Sequence, residues 1–318
     1  MESSPPTPEL SFILPTDTFE TIEPGLQRLR QQTIARKIEV ILVAPSIRAL
    51  EGAKGFASNF AALKLIDVSS VSPLGIPRAA GIRVATAPFF FVGETHSFLH
   101  ADAAEKLLAR ARTEAWDAVT PGFVNANPTS LYSWSAFLYA YSRWSDSMPE
   151  GEIGEAPMYD TLYRREMFVA MGERLEYLLS GGDDLRRALE ACRCRVYFEP
   201  TARIDHLNIA QPFAWIHEHF LIGLIIGGGR KRAWSWRRRL LYICGSSLVP
   251  FVLLRRFWHG LWITARDHRL PITILPAVLL LLFAKAAGEF LGYLGGGNVD
   301  DEKTLNRYEV RRIDYVAN

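Results

Sequence analysis

Cysteine is scarce in this chain, with 3 in 318 residues. Cys192 and Cys194 form an isolated C-x-C pair, and Cys244 stands alone in an apolar run. A structural zinc site takes about four ligands, and a disulfide framework needs more pairs than this. Both are excluded, and reduced, cytosol-facing thiols are expected. An excess of one charge is also missing, since 36 Lys+Arg against 34 Asp+Glu leave a net +2. That is not the balance of a protein that coats nucleic acid. Glycine (23) and proline (18) are ordinary in number, which removes collagen-like and low-complexity classes. The first ten residues, MESSPPTPEL, have no basic start and no apolar run. They read as a short disordered lead rather than a signal peptide. What the chain does have is apolar residues, 49% of the total, enough for a full core. Its length suggests one large or two small domains.

Patterned sequence starts at Ser11. SFIL ending at Pro15 and EVILV (39–43) are short apolar runs that predict buried strands. Between them, Ile22, Leu26 and Leu29 share one face of a predicted helix over 20–32. PFFFV (88–92), a helix over 101–112, a strand over 116–124, helices at about 164–179 and 183–192, and a strand at VYFEP (196–200) continue the series. This alternation predicts an α/β domain with a mostly parallel central sheet flanked by helices.

The composition changes after about residue 212. Residues 230–239, RKRAWSWRRR, hold six basic residues and two tryptophans, and LLYICGSSLVPFVLL (240–254) follows without a charge. Fifteen helical residues cover about 22 Å, less than a bilayer core of ~30 Å, so an interfacial or re-entrant helix is favoured there. Segment 271–294 is long enough to cross, with Lys285 and Glu289 spaced to pair. Trp234, Trp236, Trp258 and Trp262 beside arginines fit an interfacial belt. A buried helical hairpin is the alternative; phosphate backbone fits the neighbouring apolar runs less well than lipid. The expected organisation is a lead over 1–10, a catalytic domain over 11–212, membrane-associated helices over 213–294 and a polar tail over 295–318.

Three blocks carry a resemblance. SFILPTDTFETIEPGLQRLRQQTIARKIEVILVAPS, IPRAAGIRVATAPFFFVGETH and YRREMFVAMGERLEYLLSGGDDLRRALEACRCRVYFEPTARIDHLN resemble, in order and spacing, the opening, central and closing blocks of family 2 glycosyltransferases. The likeness covers about residues 11–208. It implies a GT-A-like fold, a nucleotide-diphospho-sugar donor, a divalent metal and inversion at the anomeric carbon. Two places depart from the family pattern. Ala44-Pro45-Ser46 stands where an acidic residue usually holds the base or ribose, and Glu94-Thr95-His96 stands where an Asp-x-Asp metal motif is usual.

Glu94 and His96 alternate after an apolar strand, so both side chains point the same way if the strand continues. Carboxylate and imidazole are competent ligands for Mn²⁺ or Mg²⁺, and imidazole favours Mn²⁺. A polar loop is the plainer reading. His206 is, by the resemblance, a third metal or diphosphate contact, or else a loop histidine. Asp183 and Asp184 open a helix after SGG; they serve as a cap, and one of them, Asp184 first, as general base. Arg78, in R-x-x-G, is a diphosphate contact or a surface arginine. Pro15, Thr16 and Asp17 end the first strand at the carboxyl edge where α/β sheets bind ligands, or simply turn into a helix. His217 and His219 read as surface or acceptor-side residues. Tyr132 and Trp134, in a loop predicted over 125–134, are acceptor-stacking candidates or core. The function implied is a membrane-associated, metal-dependent glycosyltransferase with a cytoplasmic catalytic domain and a lipid-linked or saccharide acceptor. A nucleotide-sugar-binding relative without turnover and a membrane-anchored scaffold are the alternatives.

Overall fold

The computed structural model describes residues 7–113, 116–180 and 184–316. The chain divides into two compact units, 1–124 with 149–206, and 125–148 with 207–318.

The first unit is built in the order β1 (Leu10–Pro15), α1 (Phe19–Leu29), β2 (Ile38–Ala44), a 3₁₀ stretch (Ile47–Asn59), β3 (Ala62–Asp67), α2 (Gly75–Val84), β4 (Phe89–Val92), β5 (Ser97–Leu99), α3 (Ala103–Thr113) and β6 (Ala118–Asn125). After α4 (Leu131–Tyr141), which belongs to the second unit, it resumes with β7 (Gly151–Ile153), β8 (Leu162–Arg164), α5 (Arg165–Val169), α6 (Leu175–Leu178), α7 (Asp184–Ala191) and β9 (Val196–His206). The nine-stranded sheet runs β3-β2-β1-β4-β8-β6-β9-β5, with β7 on β9. β3, β2, β1 and β4 are parallel. The pairings of β8 with β4 and β6, and of β9 with β5 and β7, are antiparallel. Every residue of β1 and β2 is buried, as expected of parallel strands covered on both faces.

Arg78-x-x-Gly81 lies in α2, directly over β1. A Cβ at Gly81 would stand 2.3 Å from Ile13 Cγ2, so only glycine allows this approach. The helix predicted over 164–179 is broken. α5 and α6 flank a turn in which Gly172 has φ +57°, a backbone that side chains disfavour.

One carboxylate sits deep in this sheet. Glu39 in β2 is fully buried and accepts from Ser11 Oγ at 2.5 Å, Thr86 N at 2.5 Å, Thr86 Oγ1 at 2.9 Å and Ala87 N at 3.1 Å. Lys64 Nζ lies 2.7 Å away. Burial pushes its pKa up, but the bonds from Lys64, Ser11 and Thr86 outweigh that and hold it below the ordinary 4.5. Glu39→Ala takes the acceptor from Ser11 and Thr86, while Lys64 keeps Val84 O and Ala87 N keeps Ser11 Oγ, at an expected cost of about 1–3 kcal/mol. A depressed carboxyl stabilises above its unfolded pKa and loses that contribution as pH falls through its folded pKa. The gap between wild type and Glu39→Ala in urea midpoints should therefore be full at pH 7 and shrink below pH 4.5. An unchanged gap in acid would contradict this.

The second unit is helical: α4, α8 (Pro212–Ala233), α9 (Trp236–Gly245), α10 (Val249–Asp267), α11 (Ile274–Leu294) and α12 (Val299–Val310). α8 and α11 touch backbone to backbone through glycines. A Cβ at Gly223 would lie 2.0 Å from Lys285 O, and one at Gly288 would lie 2.0 Å from Phe220 O. Lys285 and Glu289 are buried as the paired residues their spacing suggests. Arg230 Nη1 donates to Glu289 Oε2 at 3.2 Å and to Tyr293 OH at 3.0 Å, which completes the network. The segment 295–318 contains α12, opened by a capping box of Asn298 and Asp301.

Candidate metal and donor site

β1 and β4 lie side by side, and Gly93 N–H donates to Ile13 O at 2.9 Å beyond the end of β4. The chain then turns through Glu94, Thr95 and His96, all buried, into β5. Ser97 Oγ closes the turn on Glu94, 3.4 Å from its N–H. β5 pairs antiparallel with β9, with Ser97 opposite His206. That register brings His206 to His96 across 110 residues.

Three ligand atoms converge as a result. His96 Nε2 and His206 Nε2 are 3.1 Å apart. Glu94 Oε2 is 3.4 Å from the first and 3.5 Å from the second. The two rings meet edge to face at 84°, and Phe123 lies beside His206 with centroids 6.2 Å apart. Among the described residues this is the cluster with metal-ligand geometry. Ligands at ~2.1 Å from an ion and at right angles stand ~3 Å apart, so the donors suit three adjacent positions of an octahedral cation. One carboxylate and two imidazoles form a donor set that can hold a divalent cation.

The other expected residues take the following places. Pro15 ends β1, and Thr16 N–H donates to Val43 O at 2.9 Å. Asp17 Oδ1 accepts from Thr18 N at 2.8 Å and Thr21 Oγ1 at 2.7 Å, which closes the turn into α1. Arg78 is buried, not on the surface. Its guanidinium lies 3.2 Å from the Tyr159 ring centroid, and Nη1 donates to Leu179 O at 3.3 Å. Asp184 opens α7; Oδ2 accepts from Tyr177 OH at 2.6 Å, and Oδ1 lies 3.6 Å from Arg187 Nη1. Asp183 lies outside the described residues.

Several candidates take structural roles. The loop predicted over 125–134 instead becomes the start of α4, because Ser130 Oγ caps it by accepting from Tyr132 N–H. Tyr132 packs on Trp215, and Trp134 on Phe137 and His268. His219 is buried with Nδ1 2.9 Å from Trp215 O, and His217 Nδ1 is 3.0 Å from Tyr308 OH. Two acidic residues escaped the sequence reading. Asp160 is buried with φ +55°, and its N–H donates to Val92 O at 2.9 Å, which puts it at the same edge as Glu94. Asp67 ends β3 in register with Ala44, so the edge that lacks a carboxylate at Ala44-Pro45-Ser46 has one a strand away.

The sequence matches no protein-family model and no curated protein. Its fold, however, is matched among solved structures. Mannosyltransferase PcManGT from Pyrobaculum calidifontis, in complex with GDP-Man and Mn²⁺, superposes with a TM-score of 0.56 at 13% identity. The match covers 92% of this chain and 90% of that one. S. aureus TarS 1–349 in complex with UDP gives 0.50 at 15% identity, over 94% of this chain and 91% of that one. The chain has the GT-A fold. In GT-A terms, the parallel strands β3-β2-β1-β4 end where Asp67, Thr16 and Glu94 gather. The antiparallel β9 delivers His206 to that edge.

Proposed function

We propose that this chain is a metal-dependent, inverting glycosyltransferase of family 2 type. It would move a sugar from a nucleotide-diphosphate donor to a lipid-linked or saccharide acceptor at a membrane. The observation that carries this is the buried Glu94–His96–His206 cluster at the strand edge of a GT-A fold. The similar proteins bound to GDP-Man with Mn²⁺ and to UDP support the donor class. Glu94 Oε2 and the Nε2 atoms of His96 and His206 would hold a divalent cation, Mn²⁺ or Mg²⁺. Such a cation neutralises charge on the leaving diphosphate.

The protein's own groups supply the rest. Pro15, Thr16 and Asp17 would meet the donor's base and ribose, and Arg78 is the diphosphate candidate. The Asp184 carboxylate, with Asp183 beside it in sequence, takes the proton from the acceptor hydroxyl as that oxygen attacks the anomeric carbon. Attack opposite the departing diphosphate inverts the centre. Tyr177 OH, donating to Asp184 Oδ2, orients the carboxylate. Free cysteines at 192, 194 and 244 support a cytoplasmic position for the catalytic unit. Two helical stretches, Trp236–Asp267 and Ile274–Leu294, are long and apolar enough to cross a membrane, which supports membrane association.

Glu-Thr-His in place of Asp-x-Asp, and Ala44-Pro45-Ser46 without a carboxylate, favour a second reading: donor binding without turnover. A thermal-shift screen of nucleoside diphosphates with Mn²⁺ tests the first step. At 100-fold over Kd a ligand adds about 2.7 kcal/mol. For a unit of this size that is a rise of roughly 5–10 °C, expected with Mn²⁺ and lost with chelator. Release of nucleoside diphosphate from the matching sugar donor then separates the two readings. No shift with any nucleotide would refute both.

A further inference from the structure

We infer that the second unit lies in the plane of one leaflet of an anionic bilayer, with no helix crossing it. The inference rests on the membrane half of the proposed function and not on its chemistry.

α11 presents one exposed stripe, Leu280, Phe283, Ala287, Phe290, Leu291 and Leu294. The spacing is that of a single helix face, and it carries no charge over 15 residues, about 21 Å. Its opposite face is covered by α8 through the glycine contacts, and there the Lys285–Glu289–Arg230 network is buried. α11 cannot cross a membrane without carrying α8 along it. α8 has charged or imidazole groups up to His219 and again from Arg230, with ten apolar residues between, 220–229. Ten helical residues span ~15 Å, half of a ~30 Å hydrocarbon core. The uncharged stretch of the pair is therefore too short to cross the hydrocarbon core.

α10 adds the headgroup contact. Phe251, Trp258 and Trp262 share one exposed strip, and Arg255, His259 and Arg266 lie on the adjoining strip. Arg255 and Arg256 close the uncharged run 240–254 and fall inside the stretch Trp236–Asp267, so a helix spanning with that stretch would hold them within the hydrocarbon. Lying flat, the same helix sinks its aromatic strip and lets the guanidinium groups reach phosphates. Phe251 meets Phe283 of α11 edge on, with centroids 6.0 Å apart, so the two apolar faces are continuous. Across 236–267 there are six Arg, one His and a single acid, Asp267. That balance selects anionic lipid over a neutral surface or a second, equally basic copy of this chain.

The test uses the full chain with Cys192, Cys194 and Cys244 replaced by serine, carrying Ile272→Cys and Gly295→Cys at the two ends of α11. In membrane vesicles from an expression host, an impermeant maleimide should label both positions from the same side. Labelling from opposite sides means a span and overturns the in-plane placement. Purified protein should float with vesicles containing phosphatidylglycerol and far less with phosphatidylcholine alone. Arg255→Gln with Arg256→Gln should lower partitioning about 25-fold, near fivefold per charge. Equal binding to neutral vesicles overturns the anionic contact. A lipid-free dimer that shields Gly295→Cys from maleimide overturns lipid as the occupant. The Mn²⁺-nucleotide thermal shift, read on the same preparations, keeps the questions apart. A shift without vesicle binding removes only the membrane half, and vesicle binding without a shift removes only the transferase half.

Discussion

Alanine at both Glu94 and His96 is expected to abolish the Mn²⁺-dependent part of nucleoside-diphosphate binding while the fold survives. Two of the three converging ligand atoms disappear, and the remaining His206 is a single imidazole. Loss of groups that merely support metal ligands costs 10–100-fold in affinity, so removal of two ligands should exceed ~100-fold. The fold should persist because both residues sit in the turn between β4 and β5, and Ser97 Oγ together with the Ser97–His206 pairing holds that turn. The measurement is nucleoside-diphosphate affinity with Mn²⁺ and with chelator, on protein whose melting curve remains cooperative. Unchanged metal-dependent affinity in the double variant would sink the assignment. His206→Ala alone should give the same loss in smaller degree, which tests the ligand that comes from the far strand.

Asp184→Asn is expected to cut transfer by ~10²–10⁴, the usual contribution of a general base. Asp184 is the first residue inside α7 and makes no capping bond there, so asparagine should leave the start of the helix in place. It also still accepts from Tyr177 OH, so the local hydrogen bond survives while the proton acceptor is lost. Donor affinity, measured separately, should be nearly unchanged, because the metal cluster is untouched. Asp183→Asn is the control and should be milder. Wild-type turnover in both variants would reduce the pair to a cap. Greater damage from Asp183→Asn would move the base by one residue.

The central parallel strands were legible because β1, β2 and β4 are apolar throughout and bounded by helical spacing. β5, β7 and β8 were not, since three residues are too few to show a period, and their pairing is decided by distant strands. Glu94 and His96 stood out as alternating ligands after an apolar run. His206 had no local signal and entered through the likeness of the closing block. Asp160 was hidden for a physical reason: its left-handed backbone exists only because β8 runs back along β4 and places Asp160 N–H on Val92 O. NANPTSLYSW read as a loop, yet only 126–130 is one, because Asn125 ends β6 and Ser130 caps the helix that begins at Leu131. The capping box of Asn298 and Asp301 was present in a segment read as tail, where the surrounding glycines masked it.

The division of the chain has a consequence for its synthesis. α4 is made early, but the residues that cover it, Trp215, Leu261, Val278 and Leu282 among them, come some 70 to 150 positions later. At roughly 5–20 residues per second, α4 waits several seconds for Trp215 and longer for the others. During that interval LYSWSAFLYAY has no native cover. The nascent chain thus shows an apolar helix to chaperones before α9, α10 or α11 has left the ribosome, and β6 waits across the same insertion for β9. Closure of the sheet by β9 thus precedes synthesis of every helix of the second unit except α4.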